Sequence, residues 1–180
     1  IMHSGFGAGK SSFVTDVKRS GNPLRPYTSV EENNFLRGVG ITLKPADNFT
    51  ITVLGSHHNR DGNLTIDTVY EDGQIENIGE DITSLQTSNL HRTEAEIEDE
   101  DAIDLTQGGI SVSYTNRRAH LAINGLHSRL SVPLNRNPEL YNQYYFNGDN
   151  LTNASLDYGL WFGGLHFFGE TAMSDNGAIA

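Results

Sequence analysis

"GISVSYTNRRAHLAING", residues 109–125, decides the fold. Ile110, Val112 and Tyr114 share one side of a period-two alternation, and Ser111, Ser113 and Thr115 share the other. After the polar turn Asn116-Arg117-Arg118, Ala119, Leu121 and Ile123 alternate with His120, Ala122 and Asn124. A helix repeats its apolar positions every three or four residues, whereas strict alternation belongs to a strand with two unlike faces. The stretch therefore reads as a β-hairpin with one apolar and one polar face.

The same pattern recurs on both sides. In "FLRGVGITLK" (35–44), Phe35, Val39, Ile41 and Leu43 fall opposite Gly38, Gly40 and Thr42. "PADN" (45–48) signals a turn, and "FTITVLGS" then sets Phe49, Ile51 and Val53 against Thr50 and Thr52. A third hairpin is "NASLDYGLWFGGLHFFGETAM" (153–173), turning at 161–164. There Ala154, Leu156, Tyr158 and Leu160 oppose Ser155, Asp157 and Gly159, and Leu165 and Phe167 oppose His166 and Glu170.

Between the hairpins lie long polar connections, 60–106 and 131–150, so short and long connections alternate. A soluble sandwich, equally wet at both ends, has no reason to enforce that alternation. An outer-membrane barrel does, with tight periplasmic turns and long outer loops on strands of about ten residues. The expected fold is all-β: an antiparallel up-and-down β-barrel of the outer-membrane type, or an open segment of one. The hairpins give six strands, and the first 34 residues are expected to add one or two. The alternative is a soluble antiparallel β-sandwich that binds a glycan or protein ligand with its apolar faces turned inward.

Composition fits the barrel. Hydrophobic residues make up 36% of the 180, with 19 Gly, yet Tyr and Phe number 7 and 8. A polar lumen lowers overall hydrophobicity while interfacial girdles keep aromatics frequent. The net charge of −11 argues against a nucleic-acid surface. The lack of cysteine removes disulfides and thiolate metal sites. No stretch reaches the roughly 20 apolar residues of a membrane helix. The chain is expected to be one barrel-like region, 1–180, cut from something longer.

Lumen-facing polar candidates follow from the alternation: His120, Asn124, Asp157, His166 and Glu170, with both histidines placed near the two acids. Lining a hydrated lumen costs them little, whereas a dry core would demand partners. Convergence of these groups for catalysis is the competing reading, and the expectation is lumen lining with no catalytic residue. His57 and His58 are adjacent and point to opposite faces. No metal spacing and no cofactor motif is present.

"SGFGAGKSS" (4–12) imitates a phosphate-binding loop, but Ser4 stands where the pattern requires glycine, and only Ile1-Met2-His3 precede it. No βαβ alternation follows. Nucleotide binding is rejected in favour of a glycine-rich strand or turn. The acidic run "EAEIEDEDAID" (94–104) lacks the Asp-x-Asp-x-Asp-Gly calcium pattern. Thr93 with Glu96 three residues on reads as a capping box, which predicts a short helix over 93–104 in the long outer loop.

The blocks "SGFGAGKSS…VKRSG…LRPYTSVEENNFLRG", "SLQTSNLHRTEAEI" (84–97), "YFNG" (145–148) and "HFFGETAMSDNG" (166–177) resemble the barrel region of helix-hairpin-helix domain (ComEA-like) envelope proteins of Bacteroidota. The resemblance implies the bacterial outer membrane, contact with its lipid, unidentified envelope partners and no defined activity. It brings no helix-hairpin-helix module into this segment and hence no nucleic acid. In such bacteria a triplet like Asp67-Thr68-Val69 accepts O-glycans. The expected role is a non-enzymatic pore, scaffold or surface component.

Overall fold

The computed structural model describes residue 24 and residues 35–71, 74–85, 91–136, 140, 145–175 and 177. The glycine-rich stretch at 4–12 and the one or two strands expected from the first 34 residues lie outside them. The chain is nearly all β and forms an open, strongly curled sheet, a half-barrel. Its strands are β1 (Gly38–Ala46), β2 (Phe49–Arg60), β3 (Gly62–Glu71), β4 (Gln74–Leu85), β5 (Ile103–Thr115), β6 (Ala119–Leu134), β7 (Gly148–Phe162) and β8 (Leu165–Ser174). One short helix, α1 (Glu94–Glu98), precedes β5.

Six strands make an antiparallel meander in which β1 pairs β2, β2 pairs β5, β5 pairs β6, β6 pairs β7 and β7 pairs β8. The three tight connections lie at one end. β1 and β2 join through Asp47-Asn48, since Ala46 pairs with Phe49. At the β5–β6 turn Asn116 Oδ1 accepts from the amides of Arg118 and Ala119, both at 2.7 Å, so the side chain shapes its own turn. The β7–β8 turn is only Gly163-Gly164, narrower than the predicted 161–164, and Gly163 takes φ 58°, a conformation that favours glycine.

Two expectations about the long connections need correction. The stretch 60–106 is no loop: β2 runs to Arg60, β5 starts at Ile103, and the excursion between them contains the β3–β4 hairpin and α1. Its sequence carries Asp72-Gly73 between the paired ends Glu71 and Gln74, a pair of residue types that favours hairpins, but the acidic side chains of both strands mask the alternation. Asp67-Thr68-Val69 accordingly lies in β3. The connection predicted at 131–150 shrinks to 135–147, because β6 reaches Leu134 and β7 begins at Gly148. The helix occupies five residues, far less than 93–104, with Thr93 as N-cap. Thr93 Oγ1 accepts from Glu96 N at 3.2 Å, and Glu96 Oε2 accepts from Thr93 N at 3.1 Å.

The strands carry two opposite polarities along their length. Near the tight turns the outer face is apolar: Phe49, Ile51 and Val53 on β2, Ile110, Val112 and Tyr114 on β5, Leu121 and Ile123 on β6, Leu156, Tyr158 and Leu160 on β7. These side chains are exposed or half-buried, as are Val39, Ile41 and Leu43 on β1 and Phe167 on β8. The inner face there holds Thr52, Ser111, Asn124 and Ser155. Toward the other end the pattern inverts. Ile103, Leu105, Leu130 and Leu134 point inward and are buried, whereas His57, Asp104, Thr106, His127 and Arg129 point out.

The inversion is no slip of the strands. β2–β5 pairing is continuous from Phe49↔Tyr114 to Arg60↔Ile103, and β5–β6 from Thr115↔His120 to Leu105↔Leu130. In a strand of period two, apolar residues change side within an unbroken register only if the environments on the two sides are exchanged. The exchange falls at Gly55, Gly108, Gly109 and Gly125.

Ile82 of β4 closes the inward apolar cluster. Both Ile82 and Ile103 are fully buried, and Leu64, Leu85, Val132 and Phe146 pack around them. β4 is fixed there by one parallel contact, Ile82↔Leu134, and by Asn135 N donating to Ile82 O at 2.8 Å. The excursion is also tied at its other end. Asp61 accepts from His91 Nε2 at 3.1 Å and from Asp101 N at 3.0 Å, and Gly62 N donates to Asp99 O at 3.1 Å.

Ile103→Ala and Ile82→Ala are each expected to cost about 2–5 kcal/mol, measured as a shift of the unfolding midpoint in urea. The hydrogen bond to Asp61, aided by Glu100, raises the pKa of His91 above its ordinary 6.5. The His91 tie is therefore complete below that value and is lost as pH rises through the raised one. Protease cleavage within 86–102 should increase from about pH 5 to about pH 8, and His91→Gln should flatten the dependence.

Candidate functional site

The polar inner face between the apolar cap and the tight turns is the candidate site. Strand pairing arranges it as rows across the sheet, because directly opposed residues of antiparallel strands share a face. One row is Thr42, Thr52, Ser111, Asn124, Ser155 and Ala172. Thr42 Oγ1 and Thr52 Oγ1 share a hydrogen bond of 3.1 Å, and Asn124 Nδ2 donates to Ser155 Oγ at 3.1 Å. Thr52, Ser111 and Ser155 are buried although they are polar, since the curl crowds small side chains on the concave side. Two rows nearer the cap, Gln107 Nε2 donates to Ser128 Oγ at 3.0 Å.

The row on the turn side carries the charge. Asp157 of β7 lies directly opposite Glu170 of β8. His120 of β6 comes down on this pair, its Nε2 3.1 Å from Asp157 Oδ1. The angle is off hydrogen-bonding geometry, so that oxygen keeps an ion-pair contact without a hydrogen bond. The other ring nitrogen, Nδ1, shares a hydrogen bond of 2.8 Å with Thr115 Oγ1. Two carboxylates opposed across a ladder repel, and an imidazole beside them offsets that repulsion when it is protonated.

Four of the five residues singled out from the sequence thus share one patch: His120, Asn124, Asp157 and Glu170. His166 does not join the acids as expected. It pairs with Trp161 at the last turn, the rings stacked at 4.3 Å and 8°, and Phe168 covers its other side at 5.0 Å. The alternation placed His166 on the correct face, but Glu170 lies four residues farther along β8, and the indole is the nearer flat partner.

The patch lies on the concave side of the half-barrel. Thr115, His120 and Asp157 form a short chain of polar groups, with the hydroxyl on Nδ1 of the imidazole and a carboxylate oxygen beside Nε2. Among the described residues no group of three or more His, Asp or Glu side chains has the arrangement of a metal site.

His58, from the adjacent pair His57-His58, turns inward, buried to 5% exposure and stacked on Phe35 at 5.2 Å, while His57 faces out. Its role as an inner-face packing group had no sequence signal beyond the alternation. The His91–Asp61 tie had none at all, because its partners are 30 residues apart.

Comparisons with protein-family models, with curated proteins and with solved structures return no match.

Glu170→Gln removes one of the two opposed charges and is expected to stabilise the protein by about 0.2–1 kcal/mol at neutral pH. His120→Ala is expected to destabilise it, and urea unfolding followed by tryptophan emission distinguishes the two.

Proposed function

We propose that this chain is a segment of an outer-membrane β-barrel with no enzymatic activity, serving as a scaffold or surface component of a bacterial envelope system. The observation that carries the reading is the polarity of the turn-side half of the sheet, apolar outside and polar inside. From Ala154 to Phe162 the outward side chains of β7 run about 27 Å along the strand, or about 20 Å in height at a barrel-like tilt of ~40°. That is close to the apolar band of about 25 Å on known membrane barrels. A soluble sandwich would turn these side chains inward, yet Val39 is 79% exposed and Phe162 69%. No helix among the described residues is long and apolar enough to cross a membrane, which leaves strands as the spanning elements.

Within this reading, a structural role is favoured over an open pore. The apolar cluster under β4 covers the concave face at the long-connection end, and water and ions do not pass through a dry cluster of Ile and Leu. The resemblance to ComEA-like envelope proteins of Bacteroidota supports the same address. It gives no reason to assign nucleic-acid or nucleotide binding to this segment, and the proposed contacts are outer-membrane lipid and envelope proteins.

The full-length protein, folded in detergent, should migrate faster on a gel when unheated than after boiling. Full solubility without detergent would exclude the barrel.

A further inference from the structure

The exchange of polarity at the glycines marks a level on the outer wall, and two kinds of surface meet there. On the turn side of it is a shallow groove of about 410 Å³, lined by Val53, Gly108, Ile110, Gly125, His127 and Thr152 among others. Its floor is low because Gly108 and Gly125 have no side chain, and a Cβ built at Gly108 meets nothing within 4 Å. Beside and above it on the outer wall stand His127, Arg129 and His57, in a chain whose net charge is −11. Pairing places Arg129 opposite Thr106, which is itself opposite His57, and His127 opposite Gly108.

These groups are held in a common way. His127 Nδ1 bonds Thr152 Oγ1 at 3.0 Å, and His57 Nδ1 bonds Thr106 Oγ1 at 2.9 Å, each across one strand pair. Fixing both imidazoles through Nδ1 leaves Nε2 as the outward nitrogen. His57 Nε2 has Asp104 at 3.9 Å. Asp175, at the other margin, accepts from Thr152 N at 2.8 Å. Arg129 forms no ion pair among the described residues, and it projects from the strand that also supplies His127.

We propose that this groove and its basic rim form a binding site for one lipid with an anionic phosphate headgroup, its acyl chain over Gly108 and Gly125 and its phosphate on Arg129 and His127. The inference rests on the membrane-barrel reading above, which puts this level at the boundary between hydrocarbon and headgroups. The match is one of chemistry on both sides of that boundary. An acyl chain fills the apolar groove. Arginine, and His127 Nε2–H when Nδ1 accepts from the Thr152 hydroxyl, form charge-assisted hydrogen bonds to phosphate oxygens, and these strengthen at the margin of a low-dielectric layer.

Native mass spectrometry of the full-length protein in detergent tests the site, with phosphatidylglycerol, phosphatidylcholine and inorganic phosphate offered separately. One phosphatidylglycerol should be retained about tenfold more strongly than phosphatidylcholine or free phosphate. The double variant R129Q/H127Q should lose that preference. Gly108→Val, which fills the groove in a strand that has room for it, should lower retention of both lipids while the heat-dependent gel shift persists. Equal retention of the two lipids by the unaltered protein, or unchanged retention in both variants, overturns the site while leaving the barrel standing. Binding of inorganic phosphate as tightly as the lipid overturns it too, since the groove would then contribute nothing. Absence of the gel shift in the unaltered protein, with solubility in plain buffer, removes the barrel and the site together.

Discussion

A strand has two faces, and the rest of this structure depends on which face meets which medium at each height. β2, β5 and β6 keep their register without interruption while their apolar side chains pass from the outer face to the inner. One half of the sheet is therefore apolar outside and polar inside, and the other half is polar outside with its apolar side chains within. The glycines at the crossover are where neither pattern demands a large side chain. β6 is 16 residues and β7 is 15, beyond the 9–11 that a tilted strand needs to span a membrane. The surplus is the half that holds its own apolar core under β4.

The turn-side half was legible in the sequence and the other half was not. Each hairpin announces itself next to its turn, where Ile110, Val112 and Tyr114 face Leu121 and Ile123 across a short polar link. Farther up the same strands, Ile103 and Leu105 carry the opposite parity. A reading anchored on the turn therefore assigns them to a connection. The β3–β4 hairpin was hidden for a different reason. Its position is fixed by Ile82 packing on Ile103, Leu105 and Leu130, contacts remote in sequence that no local periodicity reports. At the inner face, alternation alone sufficed to put His120, Asn124, Asp157 and Glu170 together, because an antiparallel register converts parity into neighbourhood. It did not anticipate the stacking of His166 on Trp161, which depends on how tight the Gly163-Gly164 turn is.

Small polar side chains do on the concave face what a hydrophobic core does elsewhere. Thr52, Ser111 and Ser155 are too short to reach across the curl, so they bond along the rows or lie against their neighbours. The same economy of size operates on the outer wall, where a Cβ added at Gly169 would meet the Tyr158 hydroxyl oxygen at 2.7 Å. The phenol ring lies over the glycine of the adjacent strand and covers backbone that would otherwise be bare.

The excursion from 61 to 102 departs from β2 at Arg60 and rejoins the meander in β5 at Ile103, and these two residues are directly paired. Its ends are thus held about 5 Å apart by the ladder itself, whatever lies between them. A change of length or charge in the excursion is therefore tolerated by the ladder so long as Ile82 still closes the apolar cluster on Ile103 and Leu130.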